Sequence, residues 1–397
     1  MKETISESIQ SIGSKEEAFR WISKVIQTHF PLAIWQLPNS DQIQVLVDIT
    51  SKEEHHSSDI ECSDNCFYLN PFAVNHPINP MVLSGDILIK IQNQSVETTL
   101  SSTLSGNEIE EFENVLADEQ INRKKLEKTS INPQPDYEQM VSEAVDKIKD
   151  GAISKVVLSR YKDFDLPEDF NVLTFFEQLT NKYTNAFCYY LQTQTYGSWM
   201  GATPEKLIAV ENDQFFSTDA LAGTQVLADD QDLSDIAWRQ KEIEEQAMVS
   251  RYIINCFKKI RLREFEEIGP RTAKAGALVH LKTTFKVDMR ATNSPKLGST
   301  MLELLHPTSA VCGYPLDLAK AFINSHEDYQ RELYAGFLGP VGIDGDTRLF
   351  VNLRCMQLFQ KKARLYAGAG ITQDSNPEKE LIETENKMKT LLNVLMQ

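Results

Sequence analysis

The chain has 397 residues, 41% of them hydrophobic and 24% charged, so it is long enough to bury a large core without disulfide or metal staples. Its 40 Lys and Arg against 57 Asp and Glu give a formal net charge of −17. A surface that acidic disfavours nucleic acid and anionic membranes as partners, and an anionic small substrate would need a local group of cations or a bound metal ion.

The opening MKETISESIQ has neither an apolar segment nor a small-residue cleavage site, and no run of roughly 18 apolar residues occurs. Neither a signal peptide nor a membrane span is expected. Cys62, Cys66, Cys188, Cys256, Cys312 and Cys355 are dispersed, several in apolar text, which predicts reduced, buried thiols in a cytoplasmic protein. Residues 15–30 place Phe19, Ile22, Val25 and Ile26 near helical spacing, with Ser14 as N-cap and Pro31 as the stop. Strands are predicted at 33–37 and 42–48, and a polar loop at 51–66. The spacing of His55, His56, Cys62 and Cys66 in that loop is not a zinc pattern. Residues 81–92 contain an alternating strand with Ile87, Ile89 and Ile91 on one face. A basic run and two prolines over 122–136 predict an exposed connector.

Beyond it, 137–149 reads as an amphipathic helix ended by Gly151, and 154–160 as a buried strand. A long helix is predicted over 234–260 with Ser234 as its cap. Strands follow at 348–358 and 364–371. The last helix, 376–395, has Asn376 as cap and Pro377 in its first turn. There is no internal repeat. Helices and strands are interleaved too irregularly for simple βαβ winding, which predicts an α+β fold.

Lys155 stands in the strand with Val157 and Ser159 on its face, while Arg160 shares the other face with Val156 and Leu158. Two cations on opposite faces of an apolar strand are costly unless each has a partner or a cavity. Lys155 is thus either a strand end reaching solvent or a buried amine, and burial favours the neutral form that a general base needs. Glu205 follows the Gly201–Pro204 corner, either as a solvated turn acid or as a carboxyl facing a cleft. Glu242, Glu244 and Glu245 lie beside Lys241 on the long helix. Glu380 and Glu383 share a face of the last helix, with Lys387 one turn on. These acids are either solvated, ion-paired faces or carboxylates holding a hard cation such as Mg2+. Gly368 and Gly370, inside a strand, mark close backbone approach to a ligand. Arg354 is another cation in an apolar strand and a bidentate partner for a carboxylate. No P-loop, GxGxxG or GxSxG motif supports nucleotide or acyl-serine chemistry.

Nine segments occur in one order: KVVLSR (155–160), GATPEKL (201–207), LAGT (221–224), K-x3-E (241–245), LHPT…GYP (305–315), DYQRELYAGFLG (328–339), NLRC (352–355), LYAGAGI (365–371) and E-x2-ET-x2-K (380–387). Together they resemble the chorismate-utilising enzymes over residues 137–395. The resemblance implies one large α+β domain, two stacked antiparallel sheets with helices outside, and a cleft beside them. Residues 131–397 would form the chorismate-binding catalytic region and 1–130 a motif-free part of the same domain. Lysine at the head of KVVLSR is typical of members that add water, where ammonia users carry glutamine. Ala222 stands where aminodeoxychorismate synthases place a lysine. The resemblance therefore implies an isochorismate synthase, with a salicylate synthase, which also eliminates pyruvate, as the alternative. It implies Lys155 as base, Glu205 as acid, and Glu245, Glu383 and Glu380 at a Mg2+ ion. Arg354 and Lys387 would hold the enolpyruvyl carboxylate, with the backbone of Gly368 and Gly370 close by, and Gly223 and Thr224 would line the ring pocket. Gln246 departs from the pattern, since a histidine commonly follows the metal glutamate. Chorismate is the implied partner of a monomer serving menaquinone, siderophore or salicylate formation.

Overall fold

The computed structural model describes Ile9 and residues 12–50, 59–72, 80–118, 136–226, 232–275 and 278–396. The first strands are β1 (Leu32–Gln36), β2 (Gln42–Val47), β3 (Cys66–Asn70), β4 (Met81–Ser84), β5 (Ile87–Gln92) and β6 (Ser95–Leu100). Next come β7 (Lys155–Asp165), β8 (Phe187–Thr193), β9 (Gly197–Thr203), β10 (Lys206–Glu211), β11 (Phe215–Val226), β12 (Glu266–Ala275) and β13 (Leu278–Asp288). The last are β14 (Gly313–Tyr314), β15 (Phe337–Val341), β16 (Thr347–Val351), β17 (Cys355–Leu358) and β18 (Lys362–Ile371). Among the helices are α1 (Lys15–Gln27), α2 (Gly106–Ala117), α3 (Tyr137–Lys149), α4 (Val172–Lys182), α5 (Gln240–Lys259), α6 (Leu297–Leu305), α7 (Leu316–His326) and α8 (Pro377–Leu395).

The strands form two antiparallel sheets. One has ten strands in the order β14-β7-β18-β17-β9-β8-β1-β2-β5-β6, the other eight in the order β12-β13-β11-β10-β16-β15-β3-β4. Strand alternation decides what each face buries. Ala33 and Trp35 of β1, with Phe187, Tyr189 and Leu191 of β8, enter the core between the sheets. Their neighbours Leu32, Ile34, Cys188 and Tyr190 point the other way, into a second core with Ile22 and Val25 of α1, Phe176 of α4 and Met388 of α8. Ile87, Ile89 and Ile91 join that second core while Leu88 joins the first. These strands are apolar on both faces because both faces are covered. Across the sandwich Phe187 stacks on Phe350 at 4.2 Å between ring centroids.

Helix starts follow side-chain chemistry. Ser14 and Glu17 form a capping box on α1, Asn376 caps α8 and Pro377 occupies its first turn. The long helix begins at Gln240, six residues after the expected Ser234 cap, which falls in a one-turn 3-10 helix (Leu233–Asp235). The cause is local: the Glu242 carboxylate accepts the Arg239 N–H at 2.9 Å and so fixes the start. The expected strand over 348–358 is two strands in different sheets, β16 and β17. Asn352 makes the crossing, its amide donating to Leu333 O at 2.9 Å while its oxygen accepts from Tyr189 at 2.6 Å. Arg354 then takes a left-handed φ of 49°. Four cysteines are buried, but Cys62 is exposed and Cys66 half-buried; all six are free. The connector predicted over 122–136 lies outside the described residues except for Asp136, and so do His55 and His56. Among the described residues no helix is long and apolar enough to cross a membrane.

Candidate active site

Two links between the sheets build the site. One, Pro204–Glu205, joins β9 to β10; the other, 352–354, joins β16 to β17. They are bonded to each other: Val351 N–H donates to Glu205 O at 2.9 Å, and Ala202 N–H donates to Arg354 O at 3.1 Å. The Thr203 hydroxyl adds a bond to Val351 O at 2.6 Å. Beside these links opens a cavity of about 150 Å³ whose walls include Lys155, Glu205, Gly223, Glu245, Arg354, Gly368, Gly370, Glu383 and Lys387. Residues far apart in sequence thus meet at one cleft. Thr224 continues β11 beside Gly223; its side chain lies outside what is described.

Lys155 is buried at the head of β7, not a solvent-reaching strand end. Its side chain lies across β18 where Gly370 leaves room: a Cβ on Gly370 would sit 2.7 Å from Lys155 Cε and 3.2 Å from Nζ. The glycine therefore makes space for a protein side chain. Gly368 is hemmed by Leu158 O and the Tyr334 hydroxyl, 2.8 and 3.0 Å from a Cβ placed there. Gly223, at a φ of 67°, would press a Cβ against Glu242 Cβ at 2.9 Å. Only glycine meets both demands.

Glu205 is buried, and its carboxyl is pushed up to about 7. Burial is the main cause; Lys155, Lys387 and Arg354 pull the other way, and Asp219 adds to the rise. Near neutral pH much of Glu205 carries a proton. Glu383 behaves oppositely. Burial pushes it up, but Lys387, Lys241 and Arg354 outweigh that and hold it below the usual carboxylate range. Lys387 Nζ lies 2.6 Å from Glu383 Oε1 and donates to Gly368 O at 2.9 Å. Arg354 donates to Thr390 Oγ1 at 3.1 Å.

The open choice among 242, 244 and 245 is narrowed by position. Glu242 and Glu245 line the cavity; Glu244 faces solvent and accepts from Gln240 at 2.8 Å. Glu242 is also committed to the start of α5. Glu380 does not line the cavity; it is buried and meets Lys241 at 3.5 Å. Among the described residues no three His, Cys, Asp or Glu side chains converge as a preformed metal cluster. Gln246 turns from the cavity and donates to Ala220 O and Thr283 Oγ1 at 3.1 and 2.9 Å.

The sequence reading missed His280, Tyr334 and Lys241 as cavity residues. His280 Nδ1 lies 2.9 Å from Gly223 O, and burial foremost, with Arg354, lowers its pKa to about 3. The ring is neutral, and since a carbonyl only accepts, Nδ1 carries the proton. The Tyr334 phenol is held protonated by burial. His280 carries the same signal as Lys155, a polar residue in the apolar strand LVHLKTTF.

A profile of the family described as "Chorismate binding enzyme" matches residues 7–396. Isochorismate synthase DhbC of Bacillus subtilis is 31% identical over 279 residues, 66% of this chain and 68% of that protein. Anthranilate synthase component 1 of Saccharolobus solfataricus is 29% identical over 338 residues, 81% of this chain and 75% of that protein. The solved structure of MenF, the menaquinone-specific isochorismate synthase of Escherichia coli, is similar in fold. It matches at a TM-score of 0.74 and 24% identity, covering 95% of this chain and 91% of its own.

Proposed function

The chain belongs to the chorismate-binding enzyme family, and from that premise we propose that it is an isochorismate synthase. The observation that carries the reading is a buried lysine and a carboxyl raised to about 7, Lys155 and Glu205, on the wall of one cavity. In the proposed step Lys155 takes a proton from water as the water oxygen bonds to C2 of chorismate. The C1–C2 double bond shifts to C1–C6 and the C5–C6 double bond to C4–C5. The C4–O bond breaks, and Glu205 protonates the departing hydroxide. Water enters and water leaves, so the reaction is an isomerisation. Water is a weak nucleophile and hydroxide a poor leaving group, so base and acid each contribute roughly 10²–10⁴ in rate.

Arg354, Lys387 and the Tyr334 hydroxyl are the donors for the enolpyruvyl carboxylate, and the amide backbone at Gly368 and Gly370 lies beside them. Gly223 and His280 shape the ring wall. Glu245 and Glu383 offer the hard oxygen donors that Mg2+ prefers, and Mg2+ needs only one or two carboxylates with water and substrate. The ion, when bound, would bind the ring carboxylate and draw electron density from the diene. Glu380 stands behind this pair, held by Lys241.

Relatives that use ammonia exist in this family, and Lys155 in place of their glutamine favours water. The test is purified protein with chorismate, with and without Mg2+, products separated by chromatography and pyruvate assayed. The expected result is Mg2+-dependent isochorismate in equilibrium with chorismate and no pyruvate. Stoichiometric pyruvate with salicylate would transfer the protein to the lyase-coupled branch.

A further inference from the structure

We propose that Arg331 is a positioning residue for the base: its guanidinium bonds the strand that carries Lys155 to the neighbouring segment of the cavity wall and fixes the two against each other. The proposal rests on the reading of Lys155 as the base. Lys155 and Val157 share a face of β7 and both line the cavity; Ala310 and Val311 line it from the segment that leads into β14. β14 is only two residues long and pairs Gly313 with Val156 and Tyr314 with Lys155. Val157 N–H still reaches Cys312 O at 2.9 Å. There the pairing ends, and side chains continue it. Arg331, between α7 and β15, donates from Nη2 to Val157 O at 2.8 Å and from Nη1 to Val311 O at 3.0 Å. One planar group thus holds two carbonyls of the cavity wall.

The guanidinium is itself anchored. Glu327 accepts from Arg331 Nε at 2.7 Å and from Nη2 at 2.5 Å. The same carboxylate accepts the Ser159 N–H at 2.8 Å and the Ser159 hydroxyl at 3.0 Å. The pair therefore offers β7 what a neighbouring strand would, a donor for Val157 O and an acceptor for Ser159 N–H. Phe72 covers the guanidinium, with Cζ 4.2 Å from the ring centroid, and Arg331, Glu327 and Ser159 are all buried. A buried ion pair alone adds little stability, since apolar residues of similar size do as well. Bonding two backbone carbonyls and one carboxylate in a single plane is what apolar residues cannot supply. A lysine ammonium cannot supply it either, being one point of charge rather than a fork. Val157 is two residues from Lys155, so slack at the Val157 carbonyl reaches the base through one pleat of β7.

Arg331→Lys keeps the charge beside Glu327 and removes the fork. Lysines of the full chain are labelled with carbon-13, and the Lys155 Cε resonance is assigned by its loss in Lys155→Gln. Saturation kinetics with chorismate and Mg2+ are recorded well below the melting temperature. In Arg331→Lys, kcat should fall about 10-fold or more while KM stays within about threefold, because Arg354 and Lys387 stand on other elements and still hold the substrate. The Lys155 resonance should shift with it. A purely structural Arg331 predicts a lower melting temperature with kcat and the resonance unmoved, and that outcome overturns the proposal. If Arg331→Lys does not fold, the double variant Arg331→Met with Glu327→Gln, which leaves no buried charge unpaired, decides by the same two readings. A resonance that shifts in a protein that does not form isochorismate would support the positioning and sink the function.

Discussion

Replacing Gly370 by alanine should separate catalysis from folding. The new Cβ would stand 2.7 Å from Lys155 Cε, 3.2 Å from Nζ and 4.0 Å from Glu245 Oε1. Ordinary contact requires Lys155 to retreat by about 0.7 Å. The obstructed atoms are the end of a flexible side chain, so the fold can yield at small cost. Gly370 also lacks a left-handed φ, and alanine there lowers unfolded-state entropy, worth about 0.4–1 kcal/mol in favour of folding. The melting temperature should hold or rise slightly. Displacing a base by most of an ångström, however, costs on the order of 10–100-fold in kcat. Saturation kinetics with chorismate, paired with thermal melts, read both effects. Gly368→Ala is the contrast: its Cβ meets the Leu158 carbonyl at 2.8 Å, where backbone cannot yield, so stability should drop. A folded Gly370→Ala protein with near-normal kcat would refute Lys155 as the base.

Glu205 should lower stability as pH rises. Its folded value is about 7 against an ordinary 4.5, so folding retains a proton that the unfolded chain releases between those values. Glu205→Gln should therefore gain up to about 3 kcal/mol over the parent above neutrality and nothing below about pH 4.5; an equal offset at both ends in paired melts contradicts this. Glu383→Gln should weaken Mg2+ binding at least roughly tenfold by calorimetry, and an unchanged isotherm moves the metal elsewhere. Arg331 is buried, donating to Glu327 at 2.7 Å, Val157 O at 2.8 Å and Val311 O at 3.0 Å. Arg331→Met should cost about 3–5 kcal/mol in urea denaturation, partly recovered in the double variant with Glu327→Gln; no recovery means the loss comes from the two carbonyls.

Periodicity and caps were legible where one residue's chemistry decides the outcome, as at Ser14, Asn376 and the Ile87–Ile89–Ile91 face. The break between β16 and β17 was not, because Asn352 crosses only by virtue of Tyr189 and Leu333, remote in sequence. The α5 start was misplaced because a side chain two residues inside the helix, Glu242, outweighs a distant serine. Gly370 was readable as a place of close approach, but the approaching group is Lys155, which only the pairing of β7 with β18 reveals.

The site divides into a fixed half and an adaptable half. Glu205 and Arg354 come from links bonded to one another between the sheets, and Lys155 starts β7 paired with β14, so their backbones cannot move without shearing the sandwich. Preorganisation of that kind suits groups that meet developing charge and must not relax during the step. Glu245, Glu383 and Lys387 stand on helices packed against the sheets, where a side chain can turn without disturbing a ladder. Lys387 pairs with Glu383 at 2.6 Å and donates to Gly368 O at 2.9 Å, which holds its ammonium at the cavity wall. An acidic chain can thus accept a dianion: the cations are few, but Lys241, Arg354 and Lys387 all line one cavity. The protonated acid among them adds no opposing charge.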